Sequence, residues 1–178
     1  VKECLIAKKN VFVEKPLCLN FNDGKKLVTL AKKNKLKLMV GHLMLYHPAF
    51  IKMIDIIKKG KIGKVRYIYS NRLALGKLRK EEDVLWSFAP HDISMILSIT
   101  EALPRKVEVN AIFNNSKKIA DYINVILYFE NDLLAVINAD WISPYKEHKF
   151  SVLGSKGSLI FDDTKDWPNK LIINPSYI

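Results

Sequence analysis

The chain has 178 residues, 49% of them hydrophobic and 26% charged, a balance that supports a packed core of one domain or one and a half and excludes a disordered chain. Its longest apolar runs, such as Leu133-Leu134-Ala135-Val136-Ile137, fall far short of the roughly 20 residues that a membrane-spanning helix needs, so no membrane partner is expected. The net charge of +11 is uneven: residues 1–80 hold 20 Lys+Arg against 4 Asp+Glu, and residues 81–178 hold 9 against 14.

A basic half steers polyanions, but binding single-stranded nucleic acid also asks for aromatics among the basic residues, and reading bases asks for arginines. Residues 1–40 hold only Phe12 and Phe21 as aromatics, and 25 of the 29 basic residues are lysine. Lysines such as Lys25, Lys26, Lys32 and Lys33 are expected on solvated helix faces, and no nucleic-acid partner is expected. What attraction remains suits a small substrate bearing phosphate. Cys4 and Cys18 lie outside any Cys-x-x-Cys pattern, read as small buried hydrophobes, and fit a chain of the reducing cytoplasm. Val1-Lys2-Glu3-Cys4 has neither an initiator Met nor a signal-peptide core. It reads as mid-helix, so the chain is expected to be a fragment of a longer protein.

In chain order, residues 2–9 read as the end of a helix and 11–14 as a buried strand. Residues 21–34 read as a helix with Leu27, Val28 and Ala31 on one stripe, capped by Asn20 or Asn22 and ended by Asn34. Residues 36–40 form a second short strand, closed by Gly41. This α-β-α-β order is the trailing part of a doubly wound parallel sheet, an α/β domain over residues 1–42. From residue 43 to 178 the pattern changes to α+β with a largely antiparallel open sheet. Pro48 starts a helix whose Phe50, Met53, Ile54 and Ile57 keep the 3.6 period until Gly60. A strand follows at 65–75, a helix at 92–99, and strands at 107–113, 122–130, 133–142, 149–154 and 158–162. Glu130-Asn131-Asp132 and Gly154-Ser155-Lys156-Gly157 mark hairpins.

No Gly-x-Gly-x-x-Gly occurs among the seven glycines, so the loop that cradles a dinucleotide pyrophosphate is absent from this stretch. Gly60-Lys61-Ile62-Gly63 and Gly154-Ser155-Lys156-Gly157 match a KH-type G-x-x-G, but their positions between elements make them turns.

Two positions stand out chemically. Lys15 follows an apolar strand and precedes Pro16, which restrains the backbone and aims the amine. It reads either as a proton-handling group in a cleft or as a surface partner of Glu14. His91 follows Pro90 at a helix start, where the dipole favours a neutral ring that accepts a proton, and it reads either as a base or as a capping residue. His42 and His47 flank Tyr46 at the domain crossover, a plausible cleft position. Arg72 shares a strand face with Ile68 and Ser70, and is either aimed into a pocket to grip a carboxylate or diphosphate or is an edge-strand surface charge. Trp141 is read as core, and no metal site is expected.

The segments Val11-Phe12-Val13-Glu14-Lys15-Pro16, Val40-Gly41-His42, Tyr46-His47-Pro48-Ala49, Gly60-Lys61-Ile62-Gly63 and Ala89-Pro90-His91-Asp92 resemble, in order and spacing, the Gfo/Idh/MocA oxidoreductases. Within that family Arg72-Leu73-Ala74-Leu75-Gly76, Leu85-Trp86-Ser87-Phe88 and Val152-Leu153-Gly154-Ser155-Lys156-Gly157 are most similar to the nucleotide-sugar 3-dehydrogenases that act on UDP-N-acetylglucosamine or its uronic acid. The resemblance implies NAD-dependent oxidation of a sugar C3 hydroxyl to a ketone, with NADP as the alternative cofactor. Lys15 and His91 would be catalytic, with either as the base. Glu14, Lys15, Pro16 and His42 would bind the cofactor, while Tyr46, Arg72 and Asp92 would face the substrate. Family members often associate through the open sheet face, so a homo-oligomer is expected, and a non-catalytic assembly module is the alternative. Ser87 stands where many members carry an aspartate four residues before the histidine, so a lysine-aspartate-histidine triad is not implied. Without the glycine loop, the chain alone should bind NAD poorly and have little activity.

Overall fold

The computed structural model describes residues 1–175, which fall into two compact units, one spanning Val1–Leu43 and the other beginning at Met44. The first unit contains helix α1 (Lys2–Ile6), strand β1 (Val11–Glu14), helix α2 (Phe21–Lys33) and strand β2 (Leu38–Gly41). α1 is shorter than the expected 2–9 because Lys8 takes a left-handed φ of 55° that turns the chain out of the helix. For α2 the capping residue is Asn20, whose side chain accepts from the backbone N–H of Asn22 at 2.9 Å and of Asp23 at 3.3 Å.

β1 and β2 pair in parallel, from Val11↔Leu38 to Glu14↔Gly41. The expectation of a buried strand is corrected: Val11 and Val13 are half-buried, but Phe12 is 60% exposed. The reason is the pleat. Leu38 and Val40 line a groove of about 310 Å³ with Leu17, Leu36 and the Val28 and Ala31 of α2, so one face of the ribbon meets the helix. Phe12 and its register partner Met39 point the other way into solvent. The cysteines are also corrected, since Cys4 is exposed and Cys18 half-buried, and both are free thiols. Cys4 precedes Leu5, whose side chain is the one α1 buries, and on so short a helix its neighbours face out.

A 3-10 turn, Leu43–Tyr46, runs from the last residue of the first unit into the second, which then holds α3 (Pro48–Lys58), β3 (Val65–Leu75), α4 (Val84–Ser87), α5 (Ala89–Thr100), β4 (Lys106–Ile112), β5 (Tyr122–Tyr128), β6 (Leu134–Asp140), β7 (Ile142–Gly154), β8 (Ser158–Asp162) and β9 (Leu171–Asn174). Strands β4 to β9 and β3 form a seven-stranded sheet in the order β4-β5-β6-β3-β7-β8-β9. Among the described strands of this sheet, β3 and β6 pair in parallel and the other neighbours are antiparallel. One face of the sheet carries Ile68, Val125, Ala135, Ile137, Phe150, Val152 and Phe161, all buried against α3 and α5. Phe50 of α3 meets Phe150 edge-on with ring centroids 6.1 Å apart, and Met53, Met95 and Ile96 complete that core. The alternation that buries one face leaves the other open.

Three element assignments change. The charged run Lys146-Glu147-His148-Lys149 breaks the apolar pattern, yet β7 continues through it because three of the four pair across to β3, as Leu73↔Glu147, Arg72↔His148 and Asn71↔Lys149, before a register irregularity past Leu73. β9 has only four residues and was not expected. α5 begins at Ala89 rather than 92, directly after the short α4, whose Asp83 caps it through Trp86 N–H at 3.1 Å. At the β7–β8 turn Gly154 is obligatory, because a Cβ there would overlap the Ile62 carbonyl oxygen.

Candidate active site

Two clusters of chemically capable residues lie on the molecule, one in each unit. In the first unit the parallel strands end side by side at Glu14↔Gly41, the carboxyl edge at which open α/β sheets bind ligands. Each strand hands on to one candidate, β1 to Lys15 and β2 to His42. Lys15 is half-buried and its peptide bond to Pro16 is cis. The backbone N–H of His42 donates to Val40 O at 2.9 Å, which closes the strand end. Its Nδ1 is buried and has no hydrogen-bond partner among the described residues. Burial first, and the Lys15 charge second, hold the His42 pKa below its usual value, so the ring is neutral near pH 7. A buried ring nitrogen is able to exchange a hydrogen bond with a polar group brought to this edge. Gly41 keeps this edge open, since a Cβ there would come within 3.2 Å of the Phe12 ring and 3.3 Å of the Glu14 carboxylate.

In the second unit the candidates gather where α5 starts. His91 is the third residue of that helix, after Ala89 and Pro90, and is half-buried. Asp92 beside it is 1% exposed and points into the sheet. Its Oδ2 accepts from Arg72 Nε at 2.7 Å, and its Oδ1 accepts from Arg72 Nη2 at 3.1 Å and from Ser70 Oγ at 2.7 Å. Burial acts to lower the Arg72 pKa, but the Asp92 charge and hydrogen bonds outweigh it and raise it, so the guanidinium stays charged. One expectation changes as a result. Arg72 is not an edge-strand surface charge, because β3 lies between β6 and β7. The fork does grip a carboxylate, that of Asp92, and both side chains are buried.

His47 is a structural residue. Its Nδ1 accepts from Ala49 N–H at 3.1 Å and caps α3, while its ring packs on Phe161 and Trp167. Tyr46 is exposed on the 3-10 turn. Trp141 is core, donating from Nε1 to Asp121 at 2.6 Å.

One residue escaped the sequence reading. His148 of β7 lies directly opposite Arg72. Burial, then the Arg72 and Lys146 charges, push its pKa down, with Asp163 and Asp92 opposing. The available signal was the alternation of β7, since counting back by two from the inward Val152 and Phe150 reaches 148.

A parallel strand edge that ends in a lysine and a neutral histidine, followed by an open-sheet domain with a histidine at a helix start, defines an architecture: the end of a doubly wound α/β domain joined to an α+β domain. Comparison with known proteins narrows it. Residues 1–42 match the oxidoreductase family with an NAD-binding Rossmann fold, and residues 50–160 match the GFO/IDH/MocA C-terminal domain. The chain therefore belongs to the Gfo/Idh/MocA oxidoreductase family, whose Rossmann domain binds NAD.

Among its relatives are the UDP-N-acetylglucosamine 3-dehydrogenase of Acidithiobacillus ferrooxidans, 33% identical over 101 residues that cover 56% of this chain and 30% of that protein. The myo-inositol 2-dehydrogenase of Thermotoga maritima is 28% identical over 179 residues, covering 92% of this chain and 52% of that one. In fold the chain is similar to an inositol dehydrogenase homologue from Azotobacter vinelandii solved with NADH and myo-inositol, with a TM-score of 0.86 at 19% identity, covering 99% of this chain and 50% of that one. The chain spans about half the length of the curated relatives it matches.

Proposed function

We propose that this chain is part of an NAD-dependent dehydrogenase that oxidises the C3 hydroxyl of a nucleotide sugar of the UDP-N-acetylglucosamine type to a ketone. The observation that carries the reading is the carboxyl edge of β1 and β2, where Lys15 and the neutral His42, with its unmatched buried Nδ1, stand together. Glu14, Lys15, Pro16 and His42 would hold the nicotinamide end of the cofactor, which when bound supplies the hydride acceptor. Lys15 and His91 are the two groups that hold and remove the hydroxyl proton. A half-buried lysine donates a hydrogen bond to the hydroxyl oxygen, and an imidazole in the first turn of a helix is a group able to accept the proton. The similarity to a UDP-N-acetylglucosamine 3-dehydrogenase supports the nucleotide sugar, and the similarity to a myo-inositol 2-dehydrogenase supports the wider class of cyclic polyols.

The test is a fusion that restores a glycine-rich Rossmann half ahead of Val1, assayed for NAD reduction with UDP-N-acetylglucosamine and with myo-inositol. Faster reduction with the UDP-sugar supports the reading; reduction with myo-inositol alone moves the substrate to the inositol class, and reduction with neither ends it.

Assembly is the second part of the proposal, and a specific surface favours it. Asn110, Asn124, Asn138 and Asn71 stand in one register row across β4, β5, β6 and β3 on the open face. Asn138 links the row, accepting from Asn124 Nδ2 at 2.9 Å and donating to Asn71 Oδ1 at 2.9 Å and Tyr69 Oη at 3.1 Å. Satisfied amides beside Tyr69 and Tyr122 make a flat surface, neutral along this row, that costs little to desolvate against a second copy. Sedimentation of the chain tests it, with a dimer expected and a monomer at all concentrations contradicting it.

A further inference from the structure

A helix start that carries a proton-handling residue must be held still, and in α5 the firmest anchor is not a side-chain cap. Its N-cap is Phe88, which offers no side-chain cap, and the His91 backbone N–H reaches Phe88 O at a long 3.4 Å.

What anchors the turn is Asp92. Its three accepted hydrogen bonds, two from one side of the Arg72 guanidinium and one from Ser70, bolt the residue next to His91 onto β3, an interior strand of the sheet. A planar fork meeting a carboxylate at two points fixes angle as well as distance. A buried ion pair of this kind adds little stability over well-packed apolar residues of the same size, so orientation is the contribution that apolar residues would not replace. The groups around the pair are the chain's own: His148 opposite Arg72 on β7, and Asp163, whose backbone N–H donates to His148 O at 2.9 Å.

We infer that Arg72, Asp92 and Ser70 form a positioning clamp that sets the direction of His91 through the backbone of the first turn of α5, and that none of the three recognises the substrate. The inference rests on His91 being the proton-handling residue of the proposed dehydrogenase. It predicts that loss of the clamp loosens His91 without loss of the fold.

Heteronuclear spectra of the histidine-labelled chain read this directly, with the His47 ring as the internal control for the fold. The wild-type chain is expected to show one narrow set of His91 ring signals. In Asp92→Asn and in Arg72→Lys, which keeps the charge but not the fork, those signals split or broaden severalfold while those of His47 stay in place. Should a single variant lose the His47 signals as well, the paired substitution Arg72→Met with Asp92→Leu decides, because an apolar pair restores packing without restoring the fork. Split His91 signals in that double variant support the clamp; narrow, unmoved His91 signals in any variant that keeps its His47 signals overturn it.

In the Rossmann-restored fusion, Arg72→Lys should lower kcat about 100-fold, the scale at which a misplacement of an ångström is felt, with KM nearly unchanged. A raised KM with kcat retained would instead make Arg72 a substrate contact and overturn the clamp. If the spectra respond as expected but the unsubstituted fusion reduces no NAD, the dehydrogenase reading falls and the clamp stands.

Discussion

Asp121 shows how much a single buried side chain organises in this fold. It is 1% exposed and accepts from the backbone N–H groups of Asn114 and Asn115 at 2.9 Å each, from Asn115 Nδ2 at 3.2 Å and from Trp141 Nε1 at 2.6 Å. Burial acts to raise its pKa, but the hydrogen bonds from Trp141, Asn115 and Asn114 outweigh it and hold the carboxyl below its usual value of 3.8. With the folded value below the unfolded one, Asp121 contributes stability at pH above the unfolded value and loses it as pH falls through the folded value. Asp121→Asn should therefore cost about 1–3 kcal/mol near neutral pH, by leaving a donor unmet, and flatten the acid limb of stability. Urea unfolding near neutrality and in mild acid checks both; an unchanged midpoint near neutrality would refute the first and an unchanged acid slope the second. Nothing in the neighbourhood of Asp121 in sequence advertises this role, because Trp141 is twenty residues away. The same distance hid the partner of Arg72, whose inward face was legible from the alternation of β3 but whose carboxylate lies on another element. Lys15 and His91 were legible because strand ends and helix starts leave local signatures, a β-branched run before Pro16 and a proline before His91.

Capping and close approach are tested on single elements. Asn20 and Asn22 were equivalent candidates in sequence, and only the geometry separates them: Asn20 accepts two backbone hydrogen bonds at the start of α2. Asn20→Ala should cost about 1 kcal/mol of stability, and Asn22→Ala only a few tenths, by thermal or urea unfolding; equal losses would contradict the assignment. Gly154→Ala should cost about 1–3 kcal/mol, because its methyl overlaps the Ile62 backbone, which cannot swing aside as a side chain can. Where amphipathic periodicity was strong, as in α3, the sequence located the element and its buried Phe50 and Met53. It failed for β7, whose central charges read as a loop. Cross-strand pairing to β3 overrides that local preference, which is how strand propensity commonly loses to tertiary context.

The two units differ in how completely the described residues bury their elements. In the second, α3 and α5 cover one sheet face and leave the other bare; in the first, Phe12, Phe21 and Met39 remain exposed. Fold class was legible at this scale because the change from α-β-α-β order to successive strands near Gly41 is a change of pattern over tens of residues. The open-face asparagine row was not, since four asparagines spread from 71 to 138 align only once strand order is known. If that row forms the contact between copies, Asn138→Arg should convert a dimer to a monomer in sedimentation with the fold retained. A dimer that persists would place the contact elsewhere. The central claim, that Lys15 and His91 handle the proton of a sugar hydroxyl oxidised by NAD, is tested most directly by NADH formation from UDP-N-acetylglucosamine in the Rossmann-restored fusion. The account predicts steady NADH formation that falls by about 100-fold or more in Lys15→Ala and in His91→Ala, whereas unchanged turnover in both variants would contradict it.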